Sequence, residues 1–408
     1  MPIVSKRGER MTQSPIRSLI PYAREAKSRG VDVIHLNIGQ PDIKTPQAAI
    51  DRLKGYDNEI IEYGSSEGDL NLRKVAHRYY CEHVSEINLS DIYVTTGASE
   101  AILFTLFSCF DAHEEVIIPE PFYANYIGFA HTSSVNLVSV TSELDDGFKL
   151  PSPDAFVQKI TSNTKAIFLC NPGNPTGNLY SKSELIEIAQ LVKKYDLFLI
   201  VDEVYREFCY DEEFTSVLEL DDIQNHVVVI DSISKVFSAC GSRVGFVVSR
   251  NQELMSHILK YAQLRLCPPM IGQYMAVACF EDRSTYIQEV KAEYNKRRKF
   301  LHERLSKIPG VKIYMPKAAF YIMTELPVDD AGHFATWLLK DFNHNGRTIM
   351  LAPGNGFYLN EEHGRSQVRI AFVLGVEELA AAMDILDHAL KQYASMSATQ
   401  KQQSYSYI

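Results

Sequence analysis

Four apolar runs in the chain end in residues that an ordinary turn has no use for. "DIYVT" runs into Thr96-Gly97-Ala98-Ser99-Glu100 at the start of a helix-like pattern. A glycine at a strand-to-helix turn lets backbone N–H groups face an anion, and the helix N-terminus adds its dipole. "AIFLC" runs into Asn171-Pro-Gly-Asn174-Pro-Thr-Gly177, a loop stiff enough to hold two asparagines in fixed directions. "LFLIV" delivers Asp202, then Glu203 and Tyr205. A carboxylate there is costly to bury unless a cation meets it. "HVVVI" opens the stretch DSISKVFSACGSRVG, which carries Lys235 and Arg243. A lysine at the end of a buried strand is either a structural ion-pair partner or an amine of lowered proton affinity, fit for Schiff-base chemistry. Each feature alone also has a plain reading: a tight turn with Ser99 as cap, a loop of Asx-turns, a helix-capping aspartate, a snorkelling lysine.

Ligands of open α/β sheets bind beyond the carboxyl ends of the strands, so these four features belong to one place. Together they offer an anion cradle, a carboxylate in need of a cation, and an amine. Those are the requirements of pyridoxal 5′-phosphate: a seat for its phosphate, a partner for its pyridinium nitrogen, and a lysine for its aldehyde.

With these motifs in view the chain resembles the fold-type I pyridoxal-phosphate aminotransferases, the class I/II group of the aspartate aminotransferase superfamily. The motifs are "TTGASEA", "PEPFYANY", "NPGNPTG", "VDEVY", "SISKVFSACGSRVG" and "VRIAF", in that order, between "LNIGQPD" and "QVRIAFVL". The resemblance implies that Lys235 holds the cofactor as an internal aldimine and later carries the proton. It implies that Asp202 pairs with the ring nitrogen and that Asn174 and Tyr205 bond the ring hydroxylate. Tyr123 would stack on the ring. Gly97, Ala98 and Ser99, with Ser232 and Arg243, would bind the phosphate. Tyr63 would reach the phosphate of a neighbouring subunit, which implies a homodimer with shared active sites. Arg369 would clamp the substrate α-carboxylate, with Gly39 and Asn174 beside it. No metal is implied. Two positions depart from the usual pattern: Cys240, between Lys235 and Arg243, and Ala318 in "PKAAFY", where many relatives have glycine.

The elements that must position these residues follow from periodicity. Residues 17–29 read as an amphipathic helix ending at Gly30. Between about 70 and 250, helix and strand patterns alternate, and the strands are near-continuous apolar runs, as in a parallel sheet covered on both faces. Ser181 with Glu184 forms a capping box before a helical repeat. After about 285 the pattern becomes α+β. The fold expected is α/β, a three-layer αβα large domain with a mostly parallel sheet, plus a smaller α+β domain. Residues 51–284 are assigned to the first and 285–395 to the second. Residues 1–50 would pack with the small domain, and 396–408 would be a flexible tail.

Composition limits the function further. The chain has 408 residues, a net charge of −10 and no basic stripe, so neither nucleic acid nor an anionic membrane is an expected partner. Its seven cysteines are scattered, without metal-ligand spacing, as suits a reducing cytoplasm. No secretory signal and no membrane-length apolar run is visible. The function expected is transfer of an amino group between an L-amino acid and a 2-oxo acid by a ping-pong route through internal aldimine, external aldimine and pyridoxamine phosphate. The same electron sink would also serve a β-lyase, a decarboxylase or a ring-forming synthase. A transcription-regulator sensor would need a DNA-binding domain, for which about 50 residues before the cofactor region leave little room. A nicotinamide dehydrogenase would need a G-x-G-x-x-G turn that is absent. The amino donor is left open; Arg265, in "AQLRLCPPM", is the candidate reader of a distal carboxylate.

Overall fold

The computed structural model describes residues 2–11, 17–84, 86–281 and 283–397, so the tail expected from 396 lies outside the described residues from 398 onward. Strand β1 (Asp32–His35) follows the Ile20–Ser28 helix, which buries Ala23 and Ala26. A seven-stranded sheet then forms from β2 (Ile92–Thr95), β3 (Glu115–Glu120), β4 (Asn136–Thr141), β5 (Thr164–Cys170), β6 (Phe198–Asp202), β7 (Val227–Ser232) and β8 (Gly245–Val248). Their spatial order is β2-β8-β7-β6-β5-β3-β4. Every neighbouring pair is parallel except those made by β8, which runs antiparallel to both β2 and β7.

The four apolar runs all lie in this sheet, in β2, β5, β6 and β7, and the reason is burial. Every residue of β2, β7 and β8 is buried, as are four of the five in β6. Separate apolar clusters cover the two faces. One gathers Val94, Leu169, Val201 and Val229; the other gathers Phe168, Ile200, Ile230 and Val247. The Gly97–Cys109 helix is apolar on most sides and packs on β7 and β8. Ser181 and Glu184 close their capping box at the start of the Lys182–Tyr195 helix.

The remaining strands are β9 (Lys312–Ile313), β10 (Tyr321–Glu325), β11 (Arg347–Met350), β12 (Ala352–Pro353) and β13 (Gln367–Ala371). A four-stranded sheet of order β12-β13-β10-β9 sits under the Arg283–Ser306 and Val376–Ser395 helices. β1 pairs in parallel with β11, and Leu19, Ala23, Ala26, Ile34 and Leu36 share one apolar core with residues from that C-terminal region. No helix among the described residues is long and apolar enough to cross a membrane.

Candidate active site

A cavity of about 690 Å³ opens where β5, β6 and β7 end, roofed by β1, β10 and β13 residues of the smaller sheets. All four strand-end features contribute to it: Ala98 and Ser99, Asn174, Asp202 with Tyr205, and Ser232 with Lys235 and Arg243. Gly39, Tyr123, Cys240 and Arg369 line it as well.

Lys235 sits on the one-turn helix Ile233–Val236, whose start is capped by the Ser232 hydroxyl accepting from the Ser234 N–H at 3.0 Å. Its Nζ donates to the Gly39 carbonyl at 2.8 Å, so the amine is aimed across the cavity rather than into an ion pair. Asp202 is buried and accepts from the Tyr126 hydroxyl at 2.8 Å and the Val204 N–H at 3.2 Å. No cation lies within ion-pair distance of it among the described residues. Burial therefore pushes its carboxyl from 3.8 to about 6, against the opposing pull of those two hydrogen bonds and of the Lys235 charge. This is a carboxylate with two neutral partners and a need for a third, positively charged one.

At the opposite end of the cavity two glycines permit a close backbone approach. Gly97 has φ +72, and a Cβ there would lie 2.3 Å from Arg243 Nη2. A Cβ on Gly245 would lie 2.4 Å from the Gly97 carbonyl carbon. Arg243, itself left-handed at φ +55, donates to the Cys240 carbonyl at 3.1 Å and reaches the Thr96 carbonyl at 3.4 Å. It has no carboxylate partner among the described residues, so its charge faces the helix start as an unneutralised anion site. Cys240 donates its thiol to the Ser234 carbonyl at 3.1 Å, which ties the loop between Lys235 and Arg243 back on itself.

Arg369 is 2% exposed. One guanidinium nitrogen donates to Asn174 Oδ1 at 2.9 Å and another to the Asn37 carbonyl at 2.6 Å. The guanidinium lies 4.5 Å from the ring centre of Tyr321 and 5.1 Å from that of Phe357. Its Nε has no hydrogen-bond partner among the described residues. A buried cation held by neutral groups alone is incomplete without an anion.

Three residues central to this geometry were not singled out by sequence reasoning. Tyr126 holds Asp202, and its signal was its place three residues after Tyr123 in "PEPFYANY". Tyr321 holds the Tyr205 hydroxyl at 2.9 Å, lies against Arg369, and fills the space a side chain on Gly39 would need. Asn37 meets Arg369 through its backbone carbonyl, which leaves no trace in residue type. The Asn174 amide meets the Tyr205 hydroxyl at 3.5 Å, a weak contact. Tyr123 packs edge-on to Tyr126, and burial pushes its phenol up to about 12.

Two sequence expectations fall elsewhere. Arg265 does not line the cavity: Glu100 neutralises it at 3.4 Å, and it donates to the Ser66 carbonyl at 3.3 Å. It does not serve as the distal carboxylate reader of its own chain's cavity. Tyr63 is 80% exposed and lies outside that cavity.

Behind the cavity, Arg206 is shared by Glu203 at 3.7 Å and Asp231 at 3.8 Å. Each acid neighbours a site residue, Asp202 or Ser232. Burial pushes Glu203 up to about 7 and Asp231 up to about 6, against the opposing pull of the Arg206 charge that both share. That guanidinium is itself held firmly charged by the surrounding acids and phenols, which outweigh its burial. Among the described residues no cluster of His, Cys, Asp and Glu could hold a metal ion.

The family model described as aminotransferase class I and II matches residues 31–386. An aspartate aminotransferase of Pyrococcus abyssi is 30% identical over 404 residues, covering 95% of this chain and 98% of its own length. Aromatic-amino-acid aminotransferase 2 of Thermococcus litoralis is 28% identical over 399 residues, covering 95% and 98%. Among solved structures, an alanine aminotransferase from Pyrococcus furiosus matches with a TM-score of 0.86 at 29% identity, over 96% of this chain and all of that one.

Proposed function

The chain belongs to the class I and II aminotransferases, enzymes that depend on pyridoxal 5′-phosphate, and from that premise we propose that it runs two half-reactions in turn at this one cavity. The observation that carries the reading is the buried Asp202, which lacks a cation, in the same cavity as the Lys235 amine. The cofactor fits these residues. Its ring nitrogen answers Asp202, and its phosphate answers Arg243 and the glycine-opened start of the Gly97–Cys109 helix. Bound there, it supplies a carbonyl for amines and a sink for the electrons left at the substrate Cα.

The protein's part is positioning and proton transfer. Lys235 would hold the cofactor through its aldehyde, and once displaced by the incoming amino group its amine would serve as the base that takes the proton from the substrate Cα and returns it. Asp202 would keep the ring nitrogen protonated. Asn174 and Tyr205 would hold the ring oxygen, and Tyr123 would lie on the ring face. Ala98, Ser99, Ser232 and Arg243 would hold the phosphate. Arg369 would receive the α-carboxylate in a bidentate pair, supported by an Nε without a hydrogen-bond partner and by the lack of a carboxylate partner, both among the described residues. Gly39 and Asn174 flank that carboxylate. A 2-oxo acid leaves, and a second one takes up the amino group.

Tyr63, exposed in its own chain, is assigned to the phosphate of a second subunit, so the working unit is a homodimer. Residues 1–50 are assigned with 285–395 to a smaller unit that closes over the large one, supported by the pairing of β1 with β11. A cytoplasmic setting belongs to the same reading, supported by seven free cysteines. The relatives act, by their names, on aspartate, aromatic amino acids or alanine, and family membership alone does not choose among these.

Transfer of ¹⁵N from a labelled amino acid to an unlabelled 2-oxo acid, with parallel double-reciprocal plots, is the expected result. Release of ammonia or CO₂ in place of ¹⁵N transfer would contradict it.

A further inference from the structure

The buried charges behind the cavity have no task in the proposed chemistry. Arg206 stands at ion-pair distance from Glu203 and from Asp231, all three are buried, and none of them lines the cavity. Three rings enclose the guanidinium: Tyr79, Tyr80 and Phe214, with centres 5.1, 5.3 and 5.2 Å away. Glu203 also accepts from the Ser216 hydroxyl at 2.9 Å and the Val217 N–H at 3.1 Å. Asp231 accepts from the Tyr80 hydroxyl at 2.9 Å and the Ser232 N–H at 2.7 Å. Tyr79 in turn donates to Glu207.

Buried ions are a poor way to stabilise a core, because apolar side chains of the same volume avoid the cost of desolvation. The chain neighbours of these ions point to another role. Glu203 follows Asp202, Arg206 follows Tyr205, and Asp231 precedes Ser232. Each charged residue is thus joined to one that faces the cavity. The ladder between β6 and β7 ends at Asp202 and Ile230, closed by the Glu203 N–H donating to the Ile230 carbonyl at 2.8 Å. Past that point the two segments continue on either side of the cavity, and Arg206 bridges them through its two acids.

We infer that Arg206 is a positioning residue, a clasp that fixes Asp202 on one segment relative to the Ser232–Lys235 turn on the other. This rests on the cofactor reading of the cavity. One rigid molecule must there meet Asp202 with its ring nitrogen, Lys235 with its aldehyde and Ser232 with its phosphate. The spacing of the two strand ends then decides whether all three contacts form together. Arg206 itself touches neither cofactor nor substrate.

The test removes the charges and keeps the shape: the triple variant Glu203→Gln, Arg206→Met, Asp231→Asn. Its carboxamide oxygens can still accept from Ser216, Val217, Tyr80 and Ser232. Without cofactor it should melt within about 5 °C of the wild type. Pyridoxal 5′-phosphate, followed by fluorescence titration, should bind about tenfold more weakly. The pH midpoint of the yellow absorbance of the lysine-bound cofactor should rise by about one unit, because a ring nitrogen held less firmly protonated withdraws less charge from the imine. Loss of negative charge from the clasp would by itself move that midpoint down, so the direction separates positioning from a through-space field. Wild-type affinity and midpoint in a folded triple variant, or a midpoint that falls, overturns the clasp. Should the triple variant not fold, Tyr80→Phe carries the test, since it frees Asp231 from one hydrogen bond and keeps the ring. It should weaken cofactor binding about threefold and raise the midpoint, and no change in either overturns the clasp. A wild type that takes up no pyridoxal 5′-phosphate overturns the transaminase reading and the clasp with it. A wild type and triple variant that bind it equally well overturn the clasp alone.

Discussion

Asp202 poses an electrostatic problem that the protein alone does not solve. It is buried behind Tyr126 with no cation, and its carboxyl is raised to about 6. A raised folded value means that its stabilising contribution is complete below the ordinary carboxylate range and is lost as pH rises through about 6. The difference from 3.8 is worth up to about 3 kcal/mol. In protein freed of the cofactor, Asp202→Asn should therefore raise the melting temperature at pH 8, and the gap should close towards pH 4. The loaded enzyme should show the opposite: loss of about 100-fold or more in kcat, because the ring nitrogen loses its counter-charge. Thermal melts at the two pH values and steady-state rates check both halves. Asp202 was legible in the sequence because a carboxylate after five apolar residues has few plain explanations. Tyr321 was not, because a tyrosine in a strand is ordinary and its partners, Tyr205 and Arg369, lie 116 and 48 positions away.

At the scale of elements, the approach of β8 to the start of the Gly97–Cys109 helix shapes the proposed anion seat. Gly97 and Gly30 make a matched pair for testing this. Both have positive φ, but a Cβ on Gly30 meets nothing within 4 Å, whereas one on Gly97 collides with the Arg243 guanidinium. Gly30→Ala and Gly97→Ala should each cost about 1–2 kcal/mol of stability through backbone strain. Only Gly97→Ala should also weaken pyridoxal 5′-phosphate binding, by about tenfold or more, as measured by fluorescence titration. Equal cofactor affinity in the two variants would remove Arg243 and Gly97 from the phosphate seat. The strands that carry the site were readable because both of their faces are buried. β4 was missed because it is an edge strand, half-exposed along most of its length, and has no apolar run. β8 was missed because its four residues, Gly245 to Val248, follow a stretch of glycine and serine that reads as loop.

For the whole molecule, the N-terminal segment lines the cavity, and the proposed subunit partner would complete it. Chain order suggested that the N-terminal segment packs near the C-terminal region. The pairing of β1 with β11 spans more than 300 residues and could not be derived from local pattern. Tyr63, assigned to a cofactor phosphate, stands away from its own cavity and is 80% exposed. If it completes a neighbour's phosphate seat, dilution below the dimer dissociation range should release the cofactor. Tyr63→Phe should speed that release several-fold while leaving the sedimentation coefficient of the concentrated protein unchanged. Cofactor retention independent of protein concentration and of Tyr63 would make the site self-sufficient in one chain.

The central claim is that Lys235 carries the cofactor and is the group an amino donor displaces. Borohydride reduction of the loaded enzyme followed by peptide mass mapping tests it directly. The account predicts a single pyridoxyl-phosphate adduct on Lys235, lost when an amino donor is added before reduction and absent from Lys235→Ala, which should also fail to transfer nitrogen. An adduct on another lysine, or full nitrogen transfer by Lys235→Ala, would contradict it.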